Sequence, residues 1–141
     1  MPDPTSTDEW LRLAAQHRRV AEILRDDRVA ASQAHWHAGM AIECALKAYI
    51  MNAEGLNGWP SRESRPELYT HDLRELLKAS GIVLRASDPV APAWSLVLQW
   101  DRNQGYDPKP MPRRVTRSFV EAAFGPAGVV TWIRASLKND L

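Results

Sequence analysis

Cysteine occurs once in this chain of 141 residues, histidine is absent after His71, and no apolar run approaches the length of a membrane span. A single thiol excludes an intrachain disulfide and fits a reducing, cytoplasmic setting. Cys44 sits inside an apolar helical pattern, which assigns it to packing. The first residues, Met1 to Glu9, are acidic and polar, unlike a secretory signal. Charge of one sign is also missing: 18 basic residues stand against 17 acidic ones, a net charge of +1. The whole molecule is therefore not a generic polyanion binder, and any nucleic-acid surface must be a local patch. There is no glycine-rich phosphate loop and no serine in a nucleophile elbow, so neither a phosphate-loop enzyme nor a hydrolase of that kind has support. Strand-type alternation, internal repeats and low-complexity tracts are absent as well. No cofactor is called for.

What remains is helical. The length fits one domain, residues 1–141, with a core from about 10 to 138. Ser6 and Glu9 have the spacing of a capping box, and Trp10, Leu13, Ala14, His17, Val20, Ala21 and Leu24 recur at helical steps behind them. A second helix, about 28 to 53, is apolar on most sides, with alanines on one face and Val29, Trp36, Met40, Glu43, Lys47 and Ile50 on the other. Such a helix belongs at the centre of a fold. Residues 55–69 read as a loop. A third helix is predicted over about 71–79, with an Asp72–Glu75 capping box, and is ended by Gly81. A fourth runs over about 90–101. A proline-rich loop covers 103–114, and a last helical region, about 116–138, breaks at Gly125-Pro126. The expected architecture is all-α, an up-and-down bundle of four to six helices.

Two polar features stand out. Glu43 and Lys47, four residues apart, share one face of the apolar second helix. A carboxylate there needs partners, and His71 and Asp72 at the start of the third helix are the plausible ones. Glu43, Lys47, His71 and Asp72 thus form either a structural polar cluster or part of a ligand site. The second feature is basic. From Asp101 to Arg117 there are five basic residues against two acidic ones, with Trp100, Tyr106 and Met111 among them. Arginine forks onto phosphate and aromatic rings stack on bases, so Arg102, Asn103, Tyr106, Lys109, Arg113 and Arg114 suit a nucleotide or single-stranded RNA. A solvated basic loop is the alternative. His35 and His37 are two apart on a helix and diverge, so they do not build a metal site together.

The segment Glu43 to Ala48, with its Glu-x-x-x-Lys-Ala pattern, and the element His71-Asp72-Leu73 together resemble the hallmarks of the HEPN family, the higher eukaryotes and prokaryotes nucleotide-binding domain. The resemblance covers about residues 10–138. It implies a helical bundle that usually forms a homodimer. Many members are metal-independent ribonucleases, often toxins; others pair with a nucleotidyltransferase or act as binding modules. The ribonuclease members carry Arg, four to six intervening residues, then His, near the end of a late helix. Here Arg102-Asn103 takes the arginine's place, but Tyr106 follows and no histidine does. Arg12 to His17, Arg28 to His35 and Arg65 to His71 also satisfy that spacing, none in the corresponding element.

Tyrosine, with a pKa of about 10, is a poor base at neutral pH, whereas histidine titrates there. The expected function is therefore a nucleotide- or RNA-binding domain with catalysis lost or altered. One alternative is a metal-independent ribonuclease in which His71 is brought to Arg102, these two being the candidates for catalysis. Another is an interaction module, such as an antitoxin-like or accessory subunit of a nucleotidyltransferase. Six tryptophans in so short a chain suggest that some, Trp59 and Trp100 first, lie at an interface.

Overall fold

A computed structural model describes residues 3–140, and all regular elements in that range are helical: six α-helices and two short 3-10 helices. The first helix, α1 (Thr7–Leu24), starts where Ser6 predicts. The Ser6 hydroxyl accepts from the Glu9 amide at 3.1 Å. The Glu9 carboxylate, however, reaches one residue further back than a capping box requires, to the amide and hydroxyl of Thr5. Trp10, Ala14 and Ala21 carry the buried stripe.

Asp27 then turns the chain by accepting from the Val29 and Ala30 amides at 2.8 and 2.9 Å. Because those amides are used in the turn, α2 (Ala31–Glu54) begins later than the pattern suggests, and Val29 is 83% exposed instead of lying on the helix face. Every residue from Ala41 to Ala48 is buried. Gly55 ends the helix at φ 63°, and the Leu56 amide closes back onto the Met51 carbonyl. Residues 10 and 17 of α1 meet residues 47 and 37 of α2, so the two helices run antiparallel.

The third helix, α3 (Leu73–Ser80), starts two residues after His71, and Asp72 caps it through the Arg74 amide rather than through Glu75. Gly81, at φ 75°, closes it as expected. The fourth, α4 (Ala91–Val97), is shorter than its apolar spacing predicts. Turn-type bonds from Leu98, Gln99 and Trp100 wind it down, and Asp101 is extended. Asp101 then opens a 3-10 helix, Arg102–Tyr106, through a true capping box with Gln104. The segment expected as pure loop is thus partly ordered. The helix α5 (Arg113–Phe124) begins three residues early, directly after its N-cap Pro112, and α6 (Val129–Asp140) follows a break at Gly125–Gly128.

α2 is the central element, packed by α1, α3, α5 and α6. Ile42, Leu46, Ile50 and Met51 meet Leu73, Leu76, Trp94, Val129 and Ile133 in one core. Each of the larger aliphatic side chains among these contributes roughly 1.5–3 kcal/mol by leaving water.

Candidate functional site: a cavity between the start of α3 and the 3-10 helix

The centre of α2 anchors the site through the histidine at the start of α3. Glu43, 3% exposed, accepts from two sides. Its Oε1 lies 2.7 Å from His71 Nδ1, and its Oε2 lies 3.3 Å from Lys47 Nζ. A carboxylate only accepts, so Nδ1 of His71 carries the hydrogen, and in the neutral ring Nε2 is the acceptor nitrogen. The Lys47 ammonium also stands over two indoles, 5.0 Å from the Trp10 ring centre and 5.6 Å from that of Trp59. Those rings meet edge-on at 5.1 Å. Half-buried Trp59 therefore has its partners within the chain.

The opposite wall is the segment Leu98–Asn103. Two glycines on neighbouring elements let it approach α2. A Cβ at Gly39 would overlap the Trp100 indole, which is buried on that helix, and a Cβ at Gly105 would overlap the Trp36 indole. Trp100 is thus packing rather than interface. Arg74 Nε donates to the Leu98 carbonyl at 3.0 Å and ties α3 to the same segment.

Between these walls lies a cavity of about 410 Å³ lined by His71, Asp72, Arg74, Gln99, Trp100, Asp101, Arg102 and Asn103. The fold brings His71 and Arg102 to one cavity although 31 positions separate them. Two acids share it, but each accepts from a backbone amide at a helix start: Asp72 from Arg74, and Asp101 from Asn103. The positive end of each helix offsets part of that negative charge. Arg102 Nε is enclosed and has no hydrogen-bond partner among the described residues.

Other candidates fall elsewhere. Tyr106 lies in a separate recess of about 180 Å³ with Gln33, Trp36 and Gly105. Lys109 is exposed in the following loop. Arg113 and Arg114 stand in the first turn of α5. Arg113 reaches the Asp26 carbonyl at 3.5 Å, and Arg117 pairs with the Asp26 side chain. Arg114 lines a shallow recess with Leu96, Val115 and Ser118. Sequence reasoning missed Arg74 and Gln99. Arg74 follows directly on His71-Asp72-Leu73, and attention to that register would have found it.

The remaining histidines diverge as their spacing predicts. His35 is buried against Phe119, ring centres 4.2 Å apart, and burial pushes its pKa down to about 4. His37 meets His17 of α1, Nδ1 to Nδ1 at 2.9 Å, and burial holds both below the usual imidazole range. Burial pushes the Cys44 thiol up to about 12, which leaves it protonated and unreactive. Among the described residues no three His, Cys, Asp or Glu side chains are grouped to hold a metal ion, and no helix is long and apolar enough to cross a membrane. Comparison with known proteins finds no family model, curated protein or solved structure that matches the chain.

Proposed function

We propose that the cavity between α3 and the 3-10 helix binds the phosphate of a nucleotide or RNA. The observation that carries this reading is the shared cavity itself, which Arg74 and Arg102 line together with Asn103 and His71. Guanidinium is planar, always charged and matched to phosphate oxygens in pairs. Fluorescence anisotropy with labelled RNA tests the reading. Arg102→Ala is expected to weaken binding at least tenfold, the loss of one charge-assisted contact. Unchanged affinity would remove the proposal.

One further observation favours cleavage of the bound RNA as a second reading. The buried Glu43 carboxylate holds His71 by Nδ1 inside the cavity that contains Arg102. In that reading Nε2 takes the proton of a 2′-hydroxyl as its oxygen attacks the neighbouring phosphorus. The bond from phosphorus to the 5′-oxygen breaks, and the departing oxygen takes a proton from solvent. Arg102 and Arg74 balance the charge gathering on the phosphoryl oxygens. Loss of a positioned base costs roughly 10²–10⁴-fold in rate, so His71→Ala separates the two readings. A binder keeps its RNA intact in both forms, whereas an enzyme cuts it only with His71 present.

A further inference from the structure

The Arg102–Tyr106 helix has a second face that the phosphate cavity leaves unused. Arg102 and Asn103 line the cavity at its start, while Gly105 and Tyr106 line the smaller recess at its end. The two spaces share no lining residue. Tyr106 is 76% exposed, the most exposed aromatic side chain among the described large apolar residues. Beside it Trp36 is half-buried and fixed. One edge lies against Gly105, and His37 meets it edge-on at 4.9 Å. Gln33, exposed and one turn before Trp36, brings a side-chain amide to the same recess.

We infer that this recess is a base-stacking subsite, and that the ligand spanning it and the phosphate cavity is a single-stranded oligonucleotide rather than a mononucleotide. The inference rests on the phosphate reading above. An exposed ring beside a fixed indole is a stacking platform, and an amide at its edge can both donate to and accept from a base. Four residues of 3-10 helix cover about 8 Å, and stacked nucleotides of one strand are about 3.4 Å apart. The helix body between the two spaces therefore has the span of more than one nucleotide step. A strand crossing it sets a phosphate beside Arg102 and a neighbouring base on Tyr106. Lys109, exposed three positions further on, lies along the same direction of the chain.

The test measures binding of a fluorescein-labelled RNA hexamer by anisotropy, with unlabelled AMP as competitor. Tyr106→Ala is expected to weaken the hexamer about tenfold, the worth of one stacked base, and to leave AMP unchanged. Tyr106→Phe keeps the ring and is expected to keep the affinity. Arg102→Ala is expected to weaken both ligands. The exposure of Tyr106 predicts an unaltered melting temperature for both of its variants. If Tyr106→Ala binds the hexamer like the parent while Arg102→Ala does not, the stacking subsite is overturned and the phosphate site stands. If Tyr106→Ala weakens AMP as much as the hexamer, one nucleotide bridges both spaces and the oligonucleotide assignment is overturned. If neither ligand binds the parent protein, the phosphate reading falls and the subsite with it.

Discussion

Glu43 accepts from both His71 and Lys47 where almost no water reaches it, so its negative charge is what makes a buried ammonium tolerable. Glu43→Gln keeps the shape and removes that charge. Urea denaturation is expected to show a loss of about 3 kcal/mol, most of it regained when Lys47→Met is added, because the pair then disappears together. Equal stability of Glu43→Gln and the parent would show that the ion pair contributes nothing. His35 supplies a different residue-scale prediction. Its imidazole titrates near 6.5 in the unfolded chain and at about 4 when folded, so acid draws the protein toward the form that binds the proton. The stability that neutral His35 contributes is complete above pH 6.5 and is lost as pH falls from there toward 4. At pH 5 the loss is about 2 kcal/mol. Urea midpoints across that window are expected to fall less steeply in His35→Leu; an identical slope would contradict the assignment. His17 and His37, lowered in the same direction, add to the slope that remains, and the paired carboxylates Glu54 and Glu67 add to it at the acid end. At this scale much was legible. A glutamate in an apolar helix announces its need for partners, and His71 is the partner found. The meeting of Arg74 with Arg102 was not legible, because it depends on where α4 stops.

The early end of α4 is the decisive event among the elements. Apolar spacing through Trp94, Val97 and Leu98 argues for a longer helix, yet Asp101 and Gln104 carry a capping-box pattern of their own and start a new one. A local start signal therefore outweighed an apolar repeat, and Arg102 was placed at the first turn of a 3-10 helix. An all-α bundle of four to six helices and its alanine-lined centre could be read from the sequence, since both follow from period and burial. Contacts between elements were less legible, for they turn on single small residues. Gly39 is the clearest case, admitting the Trp100 indole where any Cβ would overlap it. Gly39→Ala gains helix propensity of up to about 1 kcal/mol, but overpacking against the indole costs roughly 1–3 kcal/mol. A net fall in melting temperature is expected, together with weaker RNA binding as the Arg102 wall moves outward. A stabilised variant with full affinity would refute this packing.

Taken as a whole, the molecule is nearly neutral, so under the proposed function attraction for a polyanion comes from a few neighbouring arginines. That makes salt a discriminating variable. For a single strand the slope of log affinity against log salt is about −0.7 per phosphate neutralised. With Arg74 and Arg102 the phosphate ligands, a slope between about −1 and −2 is expected from titrations at several ionic strengths. A slope near −4, about six phosphates, would mean that Lys109, Arg113, Arg114 and Arg117 share the binding with them.

The uninterrupted burial of Ala41–Ala48 has one more consequence. It ties His71, through Glu43, to a helix whose amides exchange with solvent only when the molecule opens globally, while the cavity walls belong to short segments at the ends of α3 and α4 that open more cheaply. The site is therefore a pliable pair of jaws hinged on a hard centre. A ligand would leave its mark as slowed deuterium uptake near residues 71–74 and 98–106, and the helix beneath them would register nothing.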